Sequence, residues 1–305
     1  MGNKITHVKI NSVSELHRLV GLSKPLHPLI SLIKMDDLIR SNHQEDVNFT
    51  FNFYGISLKK NIKGKLKYGQ HYFDFDEGVL GMTSPQQVLS VSNKDDYEVS
   101  GWWLVFHTDF ILNYPLGKTI KNYGFFSYHV NEALHLSDNE EKMLEGIFKN
   151  IEHEYQTSID SFSQDVMISH IELLLNYCNR FYNRQFLTRK TTSNDLLSKM
   201  EALLDDYFNS DKILQQGLPT VQYFSERLNV SSNYLSDLLR TITGQTTQQH
   251  IHNKLIEQAK VILTTTNLSV SEIAYQLGFE HSQSFSKLFK SKTDLTPVEF
   301  RASFN

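Results

Sequence analysis

A chain of 305 residues has room for two domains, each with its own core. Its 40% hydrophobic and 21% charged residues are those of an ordinary globular protein, and no apolar run reaches the ~20 residues of a membrane span. A formal net charge of −4 argues mildly against a nucleic-acid partner, and the single cysteine, Cys178, excludes an internal disulfide and suits a reducing cytosol.

Residues 1 to about 28 read as an arm. Met1-Gly-Asn-Lys-Ile-Thr-His leads into no apolar signal segment, so a cytoplasmic protein with no membrane partner is expected. Val13 to Val20 has the pattern of a short helix. From Leu29 to about Pro115 the pattern is that of strands. Val47-Asn-Phe-Thr-Phe-Asn-Phe53 alternates with period two and sends Phe49, Phe51 and Phe53 to one face. Short apolar runs follow at 56–58, 64–69, 71–75, 79–82, 87–91 and 101–106. Gly, Asn and Asp punctuate them, as in an all-β sandwich or barrel.

This β-region offers His27, His43, His71 and His107 but no His-x-His pair of the kind metal-binding barrels use. The pair His250-Ile-His252 falls on a helix, where residues two apart face different ways. No metal site and no cofactor are therefore expected. Hydrolase elbows, phosphate loops and nucleotide-binding glycine patterns are absent, and Asp95-Asp96 and Asp205-Asp206 lie in polar surface runs, so the chain does not read as an enzyme. The aromatic-rich β-region fits either an open ligand pocket or a filled scaffold, and no effector-binding residue is singled out.

Helical patterning begins at Leu136. Ser137-Asp-Asn-Glu140 is a capping box, followed by Met143, Leu144, Ile147, Phe148 and Ile151 on one face. A second helix from about Gln164 to Asn183 carries Val166, His170, Ile171, Leu174, Leu175, Cys178 and Phe181. Cys178 on that stripe reads as core rather than reactive. Leu173 and Leu175 widen the stripe, which suggests a homodimer interface or packing on the β-domain. Residues 184–194, with Arg184, Arg189, Lys190 and a Thr-Thr-Ser-Asn run, read as an interdomain linker. Leu196 to Phe208 is helical, and Asn209 to Gly217 is a polar loop.

Thr220 to Phe304 reads as two helix-turn-helix units, Val221 to Arg240 and Val270 to Lys290. Such a unit needs a small residue where its helices cross, and Ser225 and Ala274 hold that place, 49 residues apart (274 minus 225). Four residues later the backbone turns, which favours a residue tolerant of positive φ, and Asn229 and Gly278 stand there. The second helices bury Leu235, Leu238 and Leu239, and Phe285, Leu288 and Phe289. Between the units a helix from about Thr247 to Leu263 spans roughly 25 Å at ~1.5 Å per residue, and Ser269-Val-Ser-Glu272 starts the next helix with a capping box.

The tail Leu277-Gly-Phe-x5-Phe285-Ser-Lys-Leu-Phe-Lys-x4-Leu-Thr-Pro297-x2-Phe-Arg301 resembles the DNA-binding domain of AraC/XylS-type transcription regulators, over about the last third of the chain. Where that family usually has Gly before the Thr-Pro pair, this chain has Asp294, a residue that tolerates a left-handed cap. The resemblance implies an α+β protein: an N-terminal cupin-like β jelly roll followed by two helices, then an all-α domain with two helix-turn-helix units. It implies residues 1–135 as arm and sensor, 136–183 as dimerisation segment, 184–194 as linker and 195–305 as DNA-binding domain. It implies a sequence-specific regulator of activator type that binds double-stranded DNA, forms a homodimer and answers to a small-molecule effector, with RNA polymerase as a further partner. A constitutive regulator with a filled N-terminal scaffold is the alternative.

Side chains on the N-terminal, solvent side of each second helix are placed to reach base edges. In the first unit these are Ser232, Asn233, Ser236 and Asp237; in the second they are Ser282, Gln283, Ser286 and Lys287. Asn and Gln suit adenine, Lys suits guanine, and Asp can accept from the cytosine amino group. Arg240, Lys290 and Lys292 are better placed for phosphates. From Thr220 on there are 8 Lys/Arg and 7 Asp/Glu, so cations must cluster locally if they are to hold DNA.

Overall fold

The structure, a computed structural model, describes residues 6–38, 47–63, 66–68, 71–73, 78–91, 98–157 and 160–304, in two units, Met1–Gln185 and Phe186–Asn305. His43 and Asp95-Asp96 lie outside the described residues, as do the ends of the runs expected at 64–69 and 71–75.

The first unit opens with β1 (Thr6–Ile10), α1 (Val13–Leu19) and β2 (Ile30–Lys34). Then come β3 (Val47–Phe51), β4 (Phe53–Lys63), β5 (Leu66–Tyr68), β6 (His71–Phe73), β7 (Val79–Thr83), β8 (Val88–Val91) and β9 (Glu98–His107). Two short helices, α2 (Thr108–Ile111) and α3 (Pro115–Thr119), and several 3-10 turns lead to β10 (Leu134–His135). An antiparallel five-stranded sheet runs β10-β7-β4-β9-β2, a three-stranded sheet runs β1-β3-β8, and β5 pairs with β6. At Gly101 φ is +121°, and a Cβ there would sit 2.1 Å from the Leu58 carbonyl oxygen, so only glycine lets β9 cross β4 this closely.

Two expectations for this region change. The arm is part of the fold: β1 pairs in parallel with β3, Thr6 opposite Val47, and Ile10, Val13 and Leu16 are buried in one core with Phe49, Phe51 and Phe53. A five-residue strand shows little alternation of its own, and its partner is about 40 residues away in sequence, so local pattern could not reveal it. Val47 to Phe53 is not one strand. It breaks at Asn52, and Phe53 begins β4 in the other sheet. The three rings still follow one another, with centroids 6.1 and 5.2 Å apart, because both sheets contribute to the same core.

Helices α4 (Asp138–Gln156) and α5 (Ser163–Thr188) complete the pattern that starts at Leu136. The capping box of Ser137 and Glu140 is present, and Leu144, Ile147, Phe148 and Ile151 are buried. The widened stripe on α5 divides. Leu174 and Leu175 are 0% exposed within the unit, as is Cys178, whereas Leu173 is 44% exposed. Burial pushes the Cys178 thiol far above its usual range, which keeps it protonated and inert.

In the second unit, residues 190–208 form α6 (Lys190–Phe208), so the expected linker 184–194 is helical but for a break at Arg189, where φ is −84° and ψ is 47°. The polar run there does structural work: the Ser193 hydroxyl donates to the Phe186 carbonyl at 2.9 Å and is itself buried. The polar loop 209–217 likewise contains α7 (Lys212–Gln216), anchored by buried Ile213. Then come α8 (Val221–Leu228), α9 (Ser232–Thr243), α10 (Thr247–Thr265), α11 (Val270–Gln276), α12 (Ser282–Thr293) and α13 (Pro297–Ala302). At 19 residues α10 spans about 28 Å, a little longer than expected.

Candidate nucleic-acid interface

The first helix-turn-helix unit is α8 and α9. Thr220 and Ser231 cap the two helices, each accepting from the backbone amide three residues on, at 3.2 Å. The turn is at Asn229, with φ +56° and ψ +40°, and Ser225 is buried at the crossing as expected. Its hydroxyl is not idle: it lies 2.9 Å from the Ser232 hydroxyl, joining the two helices. Ser232 thus makes a hydrogen bond within the chain. Ser236 donates to the Thr247 hydroxyl at 3.1 Å, which fastens α9 to the start of α10. Asp237 accepts from the Arg240 guanidinium at 3.2 Å, one turn along. Of the base-reading set on α9, Asn233 stands most open to solvent.

The second unit, α11 and α12, is built differently. Ser269 and Glu272 make the expected capping box, and hydrogen bonds from Ser269 hold the Glu272 carboxyl below its ordinary range. Ala274 is completely buried at the crossing, against Phe279, Phe285 and Phe289. The turn at Gly278 has φ +81°, and a Cβ there would sit 2.9 Å from the Gly217 carbonyl carbon, so glycine is required on both counts. Helix α12 ends at Asp294, whose φ of +62° is the left-handed cap expected of it. Gln283 and Lys287 are exposed on α12, with Ser282 and Ser286 half-buried beside them. Lys290 and Lys292 are exposed in its last turn.

The cations from Thr220 onward sort by partner. The Arg227 guanidinium lies 3.5 Å from the centre of the Tyr223 ring, and Lys260 stands 5.7 Å from that of Phe300. Arg240 pairs with Asp237 and Lys254 with Asp205. Arg301 donates to the Leu263 and Leu268 carbonyls, at 3.1 and 2.7 Å, closing the end of α10. Lys287, Lys290 and Lys292 make no hydrogen bond or ion pair with another described residue, and all three are on α12. In the family's tail motif Arg301 is thus an internal clasp. Its structural role was invisible in sequence because its acceptors are backbone carbonyls over 30 positions away.

Comparison with known proteins bears on this region. Residues 224–303 match a family profile described as a helix-turn-helix domain. The regulatory protein SoxS of Salmonella typhimurium is 32% identical over 91 residues, which are 30% of this chain and 84% of that protein. The chain belongs to the AraC/XylS family. The transcriptional activator RhaR of an Enterobacter species is 33% identical over 113 residues, 37% of this chain. The match spans 40% of the length of that activator. Among solved structures, the C-terminal domain of the response regulator yesN from Fusobacterium nucleatum is 31% identical, over 33% of this chain and 93% of that one, with a TM-score of 0.30.

The two histidines of the linker helix have separate partners. His250 Nε2 is 2.9 Å from the Thr243 hydroxyl, and His252 Nε2 is 2.7 Å from the Gln248 amide. In the first unit of the chain a cleft of about 270 Å³ lies beside β2 and the end of α4. A chain of polar groups runs along it. The Leu26 amide donates to the Tyr155 hydroxyl at 2.9 Å, and that hydroxyl donates to Ser31 at 3.3 Å. His17 Nε2 is 2.8 Å from Ser31, and its Nδ1 is 2.6 Å from the Ser23 carbonyl. A carbonyl only accepts, so Nδ1 bears a proton and donates to Ser23. No helix of the described residues is long and apolar enough to cross a membrane.

Proposed function

We propose that the protein is a sequence-specific transcription regulator that holds double-stranded DNA mainly through α12. The observation that carries this reading is that, among the described cations from Thr220 onward, those without a hydrogen bond, ion pair or aromatic-ring contact, Lys287, Lys290 and Lys292, all lie on the helix that also exposes Gln283. Counterion release by those lysines supplies affinity, and Gln283 and Lys287 supply base preference, with Asn233 contributing from α9. Ser282 and Ser286 flank that reading face. Arg240 is a weaker phosphate contact because Asp237 competes for it. The name of one relative, a transcriptional activator, supports action as an activator, and RNA polymerase is proposed as a further partner. The test is binding of the full chain to a selected site at several salt concentrations. Salt-dependent binding that prefers the selected site over a scrambled one is expected, and its absence overturns the proposal.

The first unit is proposed as a cupin-like jelly roll that senses a small molecule and dimerises. Its two sheets around one aromatic core and the cleft beside β2 support this reading. A second reading, a constitutive regulator, draws support from the same cleft, whose polar groups are already bonded to one another. A metabolite at a hundred times its dissociation constant stabilises by ~2.7 kcal/mol, so a thermal-shift screen separates the two. Dimerisation is assigned to the exposed Phe162, Val166 and Leu173 on and beside α5. Leu173→Glu is expected to weaken a concentration-dependent dimer in sedimentation. Leu174→Glu is the wrong probe, because Leu174 is already completely buried within the chain.

A further inference from the structure

The two helix-turn-helix units have separate cores, yet one short segment is built into both. Successive residues on a helix point about 100° apart, and the end of α6 uses this. Tyr207 is buried against Tyr223 and Phe224 of the first unit, with ring centroids 4.8 and 6.4 Å away. Phe208 packs on the second core, that of Ala274, Phe279 and Phe285. The chain then passes through α7 to Gly217 and Leu218. The Tyr207 hydroxyl donates to the Gly217 carbonyl at 2.9 Å, tying this segment back to the first unit. On its other side the segment meets the turn of the second. Leu218 joins the second core, and a Cβ on Gly278 would stand 2.9 Å from the Gly217 carbonyl carbon and 3.1 Å from Ile213 Cγ1. The backbone of Gly217 and Leu218 lies directly against Gly278, with the Ile213 side chain packed beside it. The ion pair of Lys254 with Asp205 fastens α10 to the same end of α6.

We infer that residues 207–218 are a staple that fixes the angle between α9 and α12 and thereby selects the spacing between the two sub-sites the protein reads on DNA. The inference rests on the proposed function, in which both helices enter the major groove. The linker helix sets the distance between the units, with α9 fastened to its start by Ser236 and Thr247 and the second core packed on its far half, and residues 207–218 add a second connection that resists twisting between them. Rotation is what DNA spacing tests, since one added base pair shifts the second sub-site by about 3.4 Å and turns it by about 34°. Tyr207, Phe208, Ile213 and Gly278 are thus positioning residues that never touch DNA.

The experiment uses the full chain and a selected site, together with derivatives that have one base pair added or removed between the sub-sites. The unsubstituted protein is expected to lose about tenfold or more in affinity on either derivative, as for a mismatched base pair. In Phe208→Ala and Ile213→Ala that penalty is expected to fall below about threefold, while a base change inside either sub-site costs as much as before. A spacing penalty left unchanged in both variants, or absent from the unsubstituted protein, overturns the staple. A second arm needs no DNA. Nitroxide labels at Asn233→Cys and Ser284→Cys, with the buried Cys178 unlabelled, are expected to report one narrow distance that broadens in Phe208→Ala. Equal widths overturn the staple. Failure to bind any DNA overturns the proposed function instead, and the distance arm still decides the staple.

Discussion

The two helix-turn-helix units share a plan but spend their polar groups differently. In the first, polar groups do much of the joining: the hydroxyls of Ser225 and Ser232 meet, Ser236 meets Thr247, and the Asp237 carboxylate takes up Arg240. In the second, apolar contacts do the joining, through Ala274 and the rings of Phe279, Phe285 and Phe289. Because the second core needs no polar help from the reading helix, Gln283, Lys287, Lys290 and Lys292 are left for an outside partner. The lesson is that a match of position between two repeats does not imply a match of role. A side chain at a reading position that the fold has already engaged has fewer donors and acceptors left to offer a base.

The comparison can be broken most strongly in the cores. Phe285→Ala should cost about 3–5 kcal/mol and Leu235→Ala about 2–5 kcal/mol, since both side chains are completely buried. Urea unfolding of residues 186–305 followed by fluorescence and circular dichroism is expected to show one transition in each variant, because α6 and α10 join the units. Two resolved transitions would mean the units fold independently.

Base reading is the next largest effect. Gln283→Ala should lose about 1–3 kcal/mol on the preferred site and relax one or two base positions. Ser236→Ala should instead cost about 1 kcal/mol of stability, the worth of one hydrogen bond, and leave base preference nearly unchanged. A systematic base-substitution titration of both variants separates these outcomes. Smaller again is Asp237→Ala. Releasing Arg240 should strengthen binding to scrambled DNA a few-fold and steepen the log–log salt slope by about one unit, an outcome that equal slopes would contradict.

Acid should separate the units by a different route. Both capping-box carboxylates of the domain, Glu272 and Glu299, belong to helices α11 and α13, and both are held below their ordinary range. The causes are hydrogen bonds from the Ser269 side chain to Glu272 and from the Thr296 backbone to Glu299. The first unit is capped by the hydroxyls of Thr220 and Ser231, which do not titrate. A carboxyl with a depressed folded pKa contributes fully above its unfolded value of about 4.3, and the contribution fades as pH falls through the folded value. Hydrogen exchange at decreasing pH is expected to expose α11 and α13 before α8 and α9; the reverse order would refute this.

Much of this domain was legible in sequence because its signals are local. Capping boxes, the small residues at the crossings and the positive-φ positions Asn229, Gly278 and Asp294 depend on neighbours within a few residues, and each is where the pattern put it. Less local features were hidden. The parallel pairing of β1 with β3 joins segments about 40 residues apart, and the break at Asn52 is decided by which sheet Phe53 joins. At the candidate site, the spacing of Ser232, Ser236 and Asp237 placed them on the right helix but could not show that Ser225, Thr247 and Arg240 already hold them. The stretch 184–194, expected as the linker, contains the boundary between the two units, but its helical form was hidden because a Thr-Thr-Ser-Asn run gives no helical pattern until Ser193 is seen bonded to the Phe186 carbonyl.

The division of labour between the units is tested most directly by salt titration of DNA binding in two variants of the full chain. One is Lys287→Ala with Lys290→Ala and Lys292→Ala, and the other is Arg240→Ala. Removing one phosphate-neutralising cation should shallow the log–log slope by about 0.9. The triple variant is therefore expected to lose about two to three units of slope on any sequence, and Arg240→Ala less than one. A loss in Arg240→Ala equal to or greater than that of the triple variant would contradict the assignment of DNA anchoring to α12.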